Sequence, residues 1–156
     1  YEFVDQAIAD PAIAATVAAL MQEAASTLPP MPGFDPAEYA EALLARFANP
    51  ALAHRLVQIA MDGSQKLPQR LVQTVVDRHA AGLSAPAAAR GIAAWMAHLT
   101  GPHINDPLAG QLVPLAEAAR GDAVSLVESL CDVGAILGEA GQADWFRRQI
   151  VAATGA

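Results

Sequence analysis

Apolar positions in this chain recur three and four residues apart, the spacing of one helix face, and proline and glycine cut that pattern into short segments. Four pairs, Asp10-Pro11, Asp35-Pro36, Asn49-Pro50 and Asp106-Pro107, set a capping side chain before a proline at a first helical position. They predict four helix starts. After a short segment over residues 2–9, a helix is expected from Pro11 to about Ser26, with Ile13, Val17, Leu20 and Met21 inward. Leu28-Pro-Pro-Met-Pro-Gly33 cannot be helical and forms a stiff connector. A helix over 36–48 follows with Tyr39, Leu43, Leu44 and Phe47 inward, then one from Pro50 to about Met61, stopped by Asp62-Gly63-Ser64. Another runs from about Leu67 to Ala81 and closes on Gly82. The most apolar helix, over 84–100, carries Ile92, Trp95, Met96 and Leu99. Residues 106–156 read as three or four short helices, broken near Gly121, between Gly134 and Gly141, and at the C-terminus.

Composition supports the same class. The chain is 54% hydrophobic, much of it alanine, and only 5% aromatic, so helix formers dominate and strand formers are thin. The expected fold is all-α, in one helical domain over 1–156. A net charge of −7 argues against broad nucleic-acid binding and against anionic membranes. No apolar run is long enough to span a bilayer, and no leader pattern is present. The single cysteine, Cys131, sits among Leu126, Val127, Leu130 and Val133 and is expected as a small buried hydrophobe in a reducing cytoplasm. Tyr1 begins inside a structured pattern, which reads as part of a longer protein.

One stretch runs against the acidic background. Between Arg46 and His79 stand Arg46, Arg55, Lys66, Arg70 and Arg78 against Asp62 and Asp77, five basic groups less two acidic, or +3. Lys66 is the sole lysine. Such a local excess suits an anionic or polyhydroxylated ligand. On a helix over 50–61, His54, Gln58 and Asp62 fall four apart and form a polar line with Arg55 beside it. The break at Gly63-Ser64 is expected to turn Lys66 and Arg70 toward the same region. Taken singly, each has a plainer reading: a lysine near a turn is usually solvated, and Asp-Gly-Ser is a common turn. Ser64 has no nucleophile-elbow context, no GxGxxG or phosphate loop exists, and His98 and His103 lack partners at metal-ligand spacing.

Arg46-Phe-Ala-Asn-Pro50, followed by Asp62-Gly-Ser-Gln-Lys-Leu-Pro68, resembles the C-terminal substrate domain of the long-chain mannitol dehydrogenase family. The likeness runs through Phe3-Val4, Asp10-Pro11, Gly33, Tyr39 and Ala94-Trp95, and fades after Gly101. It implies a multi-helical domain akin to the C-terminal domain of 6-phosphogluconate dehydrogenase. It also implies an NAD- or NADP-dependent oxidoreductase of polyols or sugar acids, in which a separate N-terminal Rossmann domain binds the dinucleotide. The family's general base lies in a Lys-x4-Asn-x2-His pattern that this chain does not contain, so Lys66 is not that base and no catalytic residue is expected here. Lys66 instead matches a family lysine that contacts substrate hydroxyls. Gln58 stands where mannitol 2-dehydrogenases carry a substrate-binding arginine, and the run over 54–70 is closer to the fructuronate reductase (mannonate oxidoreductase) branch. The resemblance thus makes Lys66 a substrate contact, while Gln58 and His54 are candidate contacts from the polar line, and Arg70 or Arg55 is the candidate partner of a substrate carboxylate. A mannitol/fructose specificity and a non-catalytic binding or assembly scaffold stand as alternatives.

Overall fold

The computed structural model describes residues 1–102 and 104–155, with the side chain of Ala135 excepted. The chain folds as two compact units, Tyr1–Ala60 and Met61–Ala156. Among the described residues all regular structure is helical, apart from an isolated bridge between Phe3 and Arg55. The all-α reading holds.

The first unit contains α1 (Val4–Ile8), α2 (Pro11–Ala25), α3 (Pro36–Phe47), a 3-10 turn (Pro50–Leu52) and α4 (Leu56–Ala60). Two of the predicted starts form as expected: Asp10 Oδ1 accepts from Ala12 N–H at 2.8 Å, and Asp35 Oδ1 from Ala37 N–H at 2.8 Å. The inward face assigned to α3 does not. Tyr39 is 55% exposed, tilted against Phe34 with ring centroids 5.7 Å apart, and Leu43, Leu44 and Phe47 are only half-buried.

The predicted helix over 50–61 is broken. Asn49 does cap Ala51, but the turn it starts lasts three residues because Ala53 adopts a left-handed conformation, φ 46°. His54 and Arg55 run beside the N-terminus instead, and Leu56 opens α4: Val4 N–H donates to His54 O at 3.0 Å, and Leu56 N–H to Glu2 O at 2.9 Å. Local propensity lost to a pairing between segments fifty residues apart.

The second unit has α5 (Gly63–Leu67), a π-turn (Pro68–Val72) and α6 (Gln73–Ala80) in one uninterrupted helical run. Asp62-Gly63-Ser64 therefore starts a helix as well as ending one. Pro68, without an N–H, interrupts the ladder, and the next bond from Gln73 N–H reaches five residues back to Pro68 O. The run ends as predicted at Gly82, φ 72°, where Gly82 N–H bonds His79 O and Leu83 N–H bonds Arg78 O.

Helices α7 (Pro86–His98), α8 (Ala109–Ala118), α9 (Ala123–Cys131), α10 (Gly134–Leu137) and α11 (Asp144–Ala153) complete the unit, with a 3-10 turn over Ala140–Gln142. The core lies where α7 packs on α9, α11 and the π-turn: Ile92, Met96, Val127, Leu130, Phe146 and Ile150 are fully buried. Cys131 joins them, and burial pushes its thiol up to about 11, so it stays protonated and inert at neutral pH. Among the described residues no helix is long and apolar enough to cross a membrane.

Candidate functional site

The Asp-Gly-Ser-Gln-Lys segment is held from several sides. Asp62 takes a left-handed turn at φ 58°, which its short side chain tolerates, and its carbonyl accepts from Gln65 N–H and Lys66 N–H to open α5. Gly63 is buried against the indole of Trp95. A Cβ there would lie 2.6 Å from Trp95 Cδ1 and closer still to Nε1, so only glycine fits.

Ser64, 1% exposed, is fastened to Asp106: its N–H donates to Oδ2 at 2.7 Å and its hydroxyl to Oδ1 at 2.5 Å. Leu108 N–H donates to Oδ1 at 2.9 Å, and Asp62 N–H to the neighbouring Asn105 O at 3.2 Å. The helix start expected at Pro107 is thus a correction. Helix α8 begins at Ala109, two residues later than expected, and the Asp106 carboxylate ties a remote turn while Oδ1 also takes the N–H two residues on, as Asp10 and Asp35 do. Burial pushes the Asp106 carboxyl up, but the three hydrogen bonds from Ser64 and Leu108 outweigh it and hold it below the ordinary value. A lowered carboxyl stabilises the fold above its unfolded pKa, and the contribution is lost as pH falls through the lowered one.

Lys66 is half-buried, and its Nζ donates to Met61 O at 2.6 Å, five residues back along the chain. An ammonium has three donors, and among the described residues it uses only this one, which leaves two for a ligand. Leu67 is buried behind it and Arg70, on the next turn, is exposed. Lys66 and Arg70 both lie on the helical run over 63–80. That run starts earlier than expected.

The polar line His54–Gln58–Asp62 does not form as one helix face. His54 lies in the extended stretch, Gln58 on α4, and Asp62 beyond α4 in its left-handed turn. His54, Arg55 and Gln58 are exposed members of the first unit, whereas Lys66 and Arg70 belong to the second. Arg55 already has a partner: its Nη2 sits 2.5 Å from Glu2 Oε1, with the guanidinium 5.9 Å from the Phe3 ring centroid. Both members are more than half exposed, so the pair contributes at most about 1 kcal/mol.

No group of three or more metal-ligating side chains occurs among the described residues. His98 is exposed near the end of α7, and His103 lies outside the described residues. Sequence reasoning missed Asp106 and Trp95 as the supports of the lysine turn. Both partnerships span more than thirty residues, and the Asp-Pro pair reads as a local cap.

The chain matches the mannitol dehydrogenase C-terminal domain family over residues 1–153. It is 46% identical over 102 residues to the D-mannonate oxidoreductase of Escherichia coli K12, covering 65% of this chain and 21% of that protein. It is 31% identical over 144 residues to a mannitol 2-dehydrogenase of Phaeosphaeria nodorum, covering 89% and 25%. Among solved structures, Pseudomonas fluorescens mannitol 2-dehydrogenase in ternary complex with NAD and D-mannitol superposes with a TM-score of 0.88 at 30% identity. That match covers 99% of this chain and 32% of the other. The chain spans about a quarter of the length of the curated relatives it matches. With the family's sequence pattern and helical fold both present, the chain belongs to the mannitol dehydrogenase C-terminal domain family of oxidoreductases.

Proposed function

We propose that residues 1–156 are part of the C-terminal, substrate-binding domain of an NAD(P)-dependent oxidoreductase that interconverts D-mannonate and D-fructuronate. What carries the reading is the 46% identity to a D-mannonate oxidoreductase, against 31% and 30% to mannitol 2-dehydrogenases. The local chemistry supports it. Lys66 offers two ammonium donors beyond its bond to Met61, Arg70 lies exposed one turn on, and a sugar acid brings the carboxylate such cations suit.

The described residues contain no strand–glycine turn–helix unit of the kind that cradles a pyrophosphate. Following the family resemblance, we assign dinucleotide binding mainly to a separate Rossmann domain, and assign this chain chiefly to the sugar. In the reaction the secondary alcohol gives up a hydride and a proton to become a ketone. This chain's part is to bind and orient the sugar: in the second unit Lys66 takes its oxygens and Arg70 its carboxylate, and in the first unit Gln58 and His54 are proposed as further contacts and Arg55 as the other carboxylate partner. Arg55 would have to leave Glu2 to do so, which favours Arg70.

The complete protein, assayed with NAD or NADP, is expected to oxidise D-mannonate with kcat/KM at least tenfold above that for D-mannitol. A preference for mannitol would overturn the sugar-acid reading. No turnover of either by well-folded protein would favour a non-catalytic scaffold.

A further inference from the structure

We propose that Asp106 is a positioning residue for substrate binding, acting through Lys66. The inference rests on Lys66 being a sugar contact and adds the group that aims it. A lysine in the first turn of the 63–80 helical run has a long, flexible stem, so its usefulness as a binding group depends on how firmly that end of the run is set. The Asp106 carboxylate sets it. Both oxygens bond the backbone and side chain of Ser64, two residues before Lys66, and Oδ1 also ties Leu108 at the start of the next helix.

The adjacent Asn105 carbonyl takes the Asp62 N–H, so one short loop grips the turn at two consecutive residues. From the other side Trp95 closes on Gly63. Met61 O, the resting acceptor for Lys66 Nζ, stands next to Asp62 on this clamped turn. Ammonium and tether are thus fixed by the same carboxylate. A bare N-cap would need a single oxygen facing its own helix, whereas here two oxygens reach a segment forty-two residues away.

The test is a double-mutant cycle in the complete protein, with D-mannonate as the sugar and NAD or NADP as the cofactor. Asp106→Asn is expected to raise the mannonate KM about tenfold, leave the Kd for the dinucleotide unchanged, and have no further effect on mannonate KM in a Lys66→Met background. A purely structural carboxylate would lower the thermal midpoint and the active fraction, leave KM alone, or shift KM by the same factor in both backgrounds. Either of those last two results overturns the proposal. Should Asp106→Asn fail to accumulate as folded protein, Ser64→Ala removes the hydroxyl half of the same tie and is read by the same criteria. The two levels of inference separate cleanly. Lys66→Met without effect on mannonate KM sinks the substrate role of Lys66, whereas a Lys66→Met effect with additive Asp106 sinks only the positioning role.

Discussion

Replacing Gly63 by alanine lowers the thermal midpoint of the protein, although alanine is the better helix former. The residue opens α5, where exchange of glycine for alanine would by propensity add about 0.5–1 kcal/mol. Here the new methyl meets the edge of the Trp95 indole, inside van der Waals contact of Nε1 and 2.6 Å from Cδ1. A rigid ring cannot give way like the end of a flexible chain, and forced overpacking costs about 1–3 kcal/mol. The net loss expected is roughly 1–2 kcal/mol, or roughly 2–8 °C at this size. Gly110→Ala in α8 is the control, since no atom lies within 4 Å of a Cβ there. It should hold or raise the midpoint. Equal midpoints for the two variants would mean that Trp95 does not close on this turn.

Replacing Lys66 by methionine keeps most of the stem and removes the ammonium. Among the described residues its ammonium bonds only Met61 O, so the fold is expected to persist. A hydrogen bond to a charged partner is worth about 1.5–3 kcal/mol, which corresponds to a rise in mannonate KM of about 10- to 150-fold. The dinucleotide Kd should not move. Steady-state kinetics on the complete protein measure both, and an unchanged mannonate KM would remove Lys66 from the sugar site.

What could be read from the sequence was local. Asp10 and Asp35 cap the helices their prolines announce, and Gly82 closes its helix, because each bond spans only a few residues. Of the apolar positions expected over 84–100, Ile92 and Met96 on α7 and Leu99 just past its end are buried, and Trp95 is half-buried. The errors share one cause. Asn49-Pro50 and Asp106-Pro107 make the same local cap bonds as the other two pairs, yet long helices do not follow directly: the stretch after Ala53 pairs with residues 2–4, and the Asp106 carboxylate also reaches Ser64. Period alone put His54, Gln58 and Asp62 on one face, and the left-handed turns at Ala53 and Asp62 separate them.

The same limit applied to the candidate site. Lys66 stood out as the sole lysine within a basic stretch, and the motif around it resembled a family of sugar dehydrogenases. Its supports did not stand out. A buried serine hydroxyl, a glycine under an indole and a carboxylate forty-two residues away carry no local signature, since each is defined only by what it touches.

A crystal structure of the complete protein with bound dinucleotide and D-mannonate tests the central claim most directly. We expect Lys66 Nζ within about 3 Å of a sugar or carboxylate oxygen while the Ser64–Asp106 tie persists. Sugar bound with Lys66 still facing only Met61 O and no substrate atom nearby would contradict it.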